Sequence, residues 1–134
     1  HNGDNYIAYT FYLENEGKEE INYWVECTID DVIRRIDEAV RIMVILNGDK
    51  VVYAKENSLT KMAEDGTEKF YKSKVPVLRK RSNFKSGDID KYTIVVWVEG
   101  DDPDCVDALI GGEIKMHLDI RDEHISNLNK EKKK

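Results

Sequence analysis

The chain has 134 residues, 40% of them hydrophobic and 36% charged, and carries a formal net charge of −6. A chain of this length suits one domain that buries roughly 70% of its unfolded surface without metals or multiple disulfides. The acidic balance argues against a dominant cationic footprint for nucleic acid, no apolar run approaches the roughly 20 residues of a membrane helix, and the composition excludes collagen and a disulfide-dense mini-protein.

The chain opens at His1 rather than at a methionine, as a cleaved signal peptide or a trimmed tag would leave it. Residues 1–5 and 122–134, the latter ending in Glu131-Lys132-Lys133-Lys134, are expected to be flexible termini around a single domain spanning 6–121. In Tyr6–Glu14, Ile7, Tyr9, Phe11 and Leu13 alternate with Ala8, Thr10 and Tyr12, which predicts a strand. Asn15-Glu16-Gly17-Lys18 is turn chemistry, with Gly17 free to take a positive φ. Ile21, Tyr23, Val25 and Cys27 alternate in turn, so the two strands read as a hairpin.

Over Asp30–Glu38, Val32, Ile33 and Ile36 form a helical stripe, and Asp30 and Asp31 suit a helix N-terminus. Val40–Leu46 returns to period two. Asn47-Gly48 is a strong hairpin signal because both residues tolerate φ > 0, and Val51–Ala54 forms the return strand. The polar stretch Glu56–Ser73 reads as a long insertion with room for a short helix at Leu59–Ala63. Pro76 marks Val75–Leu78 as an edge strand or irregular rim, and Arg79-Lys80-Arg81 with Phe84 reads as a basic surface loop.

Tyr92–Val98 is apolar on both faces and predicts a central strand covered on both sides. Asp102 as N-cap, Pro103 at the first helical position, Asp104 behind it and Gly111-Gly112 at the end predict a short helix. Ile114, Met116, Leu118 and Ile120 then alternate with polar residues as a last strand. About seven strands with hairpin signals and one or two short helices predict an all-β fold, an antiparallel two-sheet β-sandwich. Its core is expected to include Phe11, Leu13, Val25, Val44, Ile94, Val96, Val98 and Leu118.

Few residues point to chemistry. His117 and Asp119, two apart on one strand face, are weak candidate metal ligands with a donor set suited to zinc or manganese, and the favoured reading is a charged sheet surface leading into a polar tail. The acidic loop Glu99–Asp104 offers oxygens to calcium but lacks the EF-hand pattern, and helix capping accounts for Asp102 and Asp104 without an ion. The baseline expectation is no cofactor. Cys27 and Cys105 leave two readings open, a long-range disulfide in an exported protein or two free thiols. The serine-hydrolase elbow and the phosphate-loop and dinucleotide glycine patterns are absent.

Three stretches carry a resemblance: Ala8–Gly17, Ala39–Ile45 with Asn47-Gly48-Asp49, and Trp97–Cys105 running to Gly111-Gly112-Glu113-Ile114. Together they resemble the TasA/camelysin group of exported proteins of Gram-positive bacteria and its clostridial relatives. The resemblance implies a jelly-roll-like β-sandwich, export behind a signal peptide, and a cell-surface or biofilm-matrix role, with fibre assembly by strand exchange in some members. Camelysin-type members are classed as metallopeptidases, but no matching ligand motif occurs here. The expectation is therefore a secreted or cell-surface, non-enzymatic structural protein whose partners are further copies or other matrix proteins, with no nucleic acid and no integral membrane segment. A secreted metal-dependent hydrolase and a ligand-binding sandwich module are the alternatives. The short Asn15–Lys18 connection favours closure of Ile7–Leu13 onto its own chain over exchange.

Overall fold

A computed structural model describes residues 6–31, 39–57, 59–63, 65–99 and 115–122. The strands are β1 (Tyr6–Glu14), β2 (Ile21–Asp31), β3 (Val40–Leu46), β4 (Asp49–Ala54), β5 (Glu68–Lys69), β6 (Val77–Phe84), β7 (Ile89–Val98) and β8 (Lys115–Asp122). They form two sheets, one of five strands in the order β1-β7-β3-β4-β5 and one of three in the order β6-β2-β8. All pairings are antiparallel except the short parallel contact of β4 with β5. The fold is the expected all-β, two-sheet sandwich, and no helix is present among the described residues. None there is long and apolar enough to cross a membrane.

Alternation decides which side chains go inside. Tyr23, Val25, Cys27 and Ile29 of β2 face Val40, Ile42 and Val44 of β3 and Tyr92, Ile94, Val96 and Val98 of β7 in one buried cluster. Burial of each aliphatic side chain of this kind contributes about 1.5–3 kcal/mol. Of the expected core, Val25, Val44, Ile94, Val96 and Val98 are buried, while Phe11, Leu13 and Leu118 pack against the cluster with part of their surface exposed.

Asn47 and Gly48 take φ of 51° and 93°, and the two-residue turn sets Leu46 opposite Asp49. That double positive φ matches the twist of the flanking strands, as the sequence predicts. β7 is central as expected, between β1 and β3. Its outward residues Thr93, Val95 and Trp97 are only half-buried, so the second covering layer is not found among the described residues.

Several expectations are corrected. β1 and β2 are not a hairpin: β1 pairs with β7, and β2 pairs with β6 and β8 in the other sheet. The Asn15–Lys18 connection is a corner between sheets, and the buried Asn15 side chain builds it. Its Nδ2 donates to the carbonyls of Glu19 and Phe84, both at 2.9 Å, and its Oδ1 accepts from Gly17 N at 3.0 Å. Among the described residues the positive-φ glycines are Gly48, Gly66 and Gly87, not Gly17. The closure argument based on a short hairpin loop falls with the hairpin.

Arg79-Lys80-Arg81 is not a loop. It is the middle of β6, paired with Val25, Trp24 and Tyr23. Asp30 and Asp31, expected inside a helix N-terminus, are the last residues of β2. Residues 32–38 and the expected helix at Asp102–Gly112 lie outside the described residues, as does the Gly100–Asp104 part of the acidic loop. Leu59–Ala63 is turn and bend rather than the expected short helix, with Asn57 Oδ1 accepting from Leu59 N and Thr60 N.

Candidate functional site

Four places in the sandwich hold chemistry. The first is a buried polar network at one end. Asp90 of β7 is 1% exposed and accepts hydrogen bonds from Arg81 Nε at 2.8 Å, Arg81 Nη2 at 3.1 Å, Tyr23 Oη at 2.6 Å and Asn47 Nδ2 at 2.9 Å. Tyr23 and Tyr92 also share a hydrogen bond of 2.8 Å between their hydroxyls. Burial works to raise the Asp90 pKa, but the hydrogen bonds from Arg81, Tyr23 and Asn47 outweigh it and hold the carboxyl below its ordinary value. Burial, followed by the Asp90 and Tyr92 hydrogen bonds, pushes the Tyr23 phenol far above its ordinary value. A fully satisfied carboxylate and two neutral phenols are suited to joining the sheets. They offer neither a base nor a nucleophile to a substrate.

The second is a surface cluster on the outward face of the three-stranded sheet. β8 sets His117 opposite Thr28 of β2, which brings Asp30 within reach. His117 Nδ1 lies 2.7 Å from Asp30 Oδ2, and Nε2 lies 3.2 Å from Asp119 Oδ2. The His117–Asp119 pairing is the one that same-face spacing predicts; Asp30 was hidden by its expected helix. With a carboxylate at each ring nitrogen the imidazolium is favoured, and the hydrogen bond to Asp30 raises the His117 pKa. A metal needs an imidazole lone pair, which this arrangement works to protonate. No group of three or more His, Cys, Asp or Glu is arranged to hold a metal among the described residues.

Cys27 is buried and makes no disulfide among the described residues; Cys105 lies outside them. Burial first, then the Asp30 charge, pushes the Cys27 thiol up to about 12, so it carries no thiolate at neutral pH.

The third place is β1, the outer strand of the five-stranded sheet among the described residues. Inward-facing Ile7, Tyr9, Phe11 and Leu13 are set by their partners Val96, Ile94, Tyr92 and Asp90. Yet Tyr9 is 61% exposed, because it stands at the rim of the wider sheet. Tyr6 and Tyr12 on the outward face are also exposed, at 38% and 63%. Outward Ala8, Val95, Met43 and Val52 stand side by side across four strands as an apolar row. The fourth is a cleft of about 400 Å³ on the opposite flank, between β4 and β5 of one sheet and β6 of the other.

Comparison with known protein families, with curated proteins and with solved structures gives no match. The functional reading draws on the geometry and on the sequence resemblance.

Proposed function

We propose that this chain is a non-enzymatic structural protein of the cell surface or extracellular matrix, and that it associates with further copies of itself through β1, the outer strand of the five-stranded sheet among the described residues. The contrast between β1 and the other edge strands carries this reading. A sheet edge presents unpaired backbone N–H and C=O groups, and proteins that remain monomeric blunt it with charge or keep it short. β5 has two residues, β6 contains Arg79, Lys80 and Arg81, and β8 contains Lys115, His117, Asp119, Arg121 and Asp122. β1 has nine residues, and Glu14 at its end is the sole charged one. Three exposed tyrosines on it add apolar contact area to any strand that pairs there. Export and a matrix setting are carried over from the sequence resemblance and belong to the same proposal.

Light scattering after size-exclusion chromatography tests the reading over a concentration series. Association should grow with concentration and be suppressed by Tyr9→Lys, which places a charge at the exposed rim of the edge. A chain that stays monomeric at every concentration, or a Tyr9→Lys variant that associates as well as the parent, overturns it.

A further inference from the structure

β6 places two arginines on the inward face of the sandwich. Arg79 pairs with Val25 and Arg81 with Tyr23, and both partners are core residues. The two arginines are treated very differently. Arg81 grips Asp90 with two N–H groups and gives a third to the carbonyl of Ser82. Arg79 has no such carboxylate among the described residues. Its Nη1 is shut off from solvent and has no hydrogen-bond partner among the described residues. Its charge is close enough to Tyr53 and Tyr92 to act on both phenols, which sets it between the sheets.

An inward guanidinium with an orphaned N–H is a net cost to folding, because the group loses water without gaining a partner. A strand position facing Val25 would take an aliphatic side chain without that cost. Arg79 also lines the flank cleft, together with Tyr53, Glu68, Lys69, Tyr71 and Lys80. Its charged lining is therefore three cations against one carboxylate, in a chain whose net charge is −6. Lys69 is engaged by Glu56 at 3.5 Å and Lys80 stands over the Trp24 ring at 5.8 Å. Arg79 is thus the cation in the cleft whose charge is least answered. At about 400 Å³ the space suits a ligand the size of a monosaccharide.

We infer that the flank cleft between β4, β5 and β6 binds an oxyanion carried by a small ligand, and that Arg79 is its anchor. A carboxylate, phosphate or sulfate matches the planar fork of a guanidinium and accepts two N–H groups at once, once the orphaned Nη1 turns into the cleft. Tyr53 and Tyr71 supply ring surface for the body of the ligand. Glu68 opposes the anion and sets the affinity low. This inference does not rest on assembly through β1, which lies on the opposite edge of the five-stranded sheet.

Titration of the labelled protein with inorganic phosphate, sulfate and glucuronate, followed by amide shifts in NMR spectra, tests it. Saturable shifts confined to β4, β5 and β6 are expected for at least one of the three, with a Kd of order 1 mM. A response to glucuronate alone identifies a carboxylate-bearing sugar; a response to phosphate or sulfate identifies a tetrahedral oxyanion. Arg79→Met should weaken binding at least about tenfold while leaving the melting temperature unchanged or higher, since the orphaned group is removed. Glu68→Gln, at an exposed position, should tighten it. No saturable shift with any of the three anions overturns the inference. So does binding that survives Arg79→Met, weakens in Glu68→Gln, or maps to another face.

Discussion

Arg81 and Asp90 are joined across the gap between the two sheets, with Arg81 Nε 2.8 Å from Asp90 Oδ2 and Nη2 3.1 Å from Oδ1. One sits on an outer strand of the three-stranded sheet and the other at the start of β7, an interior strand of the five-stranded sheet. Hydrophobic contacts between sheets are tolerant of sliding. A two-point hydrogen bond is not, so this pair fixes how the sheets sit on each other at that end.

Asp90→Asn should therefore destabilise the fold by about 3 kcal/mol, the usual consequence of leaving one partner of a buried pair uncompensated. Urea unfolding followed by circular dichroism measures it. The same group sets an acid limit. Its folded pKa lies below its ordinary 3.8, so its stabilisation is present above 3.8 and is lost as pH falls below that value. In Asp90→Asn, the loss of stability below pH 3.8 should be shallower than in the parent.

His117 behaves with the opposite sign. Its folded pKa lies above the ordinary 6.5, so its favourable pairing with Asp30 and Asp119 is complete below 6.5 and fades as pH rises through the folded value. NMR titration of the imidazole should show a midpoint above 6.5 that falls in Asp30→Asn. Because the ring is on the surface, the melting temperature should change little.

Ile42→Ala should cost about 3 kcal/mol, since Ile42 is fully buried between the sheets and its removal leaves a cavity. Gly48→Ala should cost about 1 kcal/mol for a different reason. A Cβ there meets nothing within 4 Å, so the penalty is purely that of φ +93° for an L residue. The two variants separate packing from backbone strain in the same β3–β4 unit.

Local pattern made most strands legible. Tyr6–Glu14 and Val40–Leu46 form where alternation places them, and Asn47-Gly48 turns as its φ tolerance requires. Alternation specifies a face, however, not a neighbour. The β1–β2 hairpin was misread because Asn15 reaches the carbonyl of Phe84, a contact between residues far apart in sequence. β6 was hidden because two of its inward positions are arginines, which look like surface by composition. For the same reason neither the Arg81–Asp90 link nor the Arg79 cleft could be read from sequence: each needs a residue from the other sheet. His117 and Asp119 were legible through spacing alone, and Asp30 joined them only once β2 was seen to continue past it.

Amide hydrogen exchange at low and high protein concentration tests the central claim most directly, because it reads the edge itself. β1 pairs with β7 along one side, and a second copy docking along its other side would slow the exchange of the amides there. As concentration rises, the account predicts that these amides alone among the described edge strands gain protection, and that Tyr9→Lys abolishes the gain. Protection that appears instead along β6 or β8, or association that leaves β1 exchanging as in the dilute monomer, would contradict it.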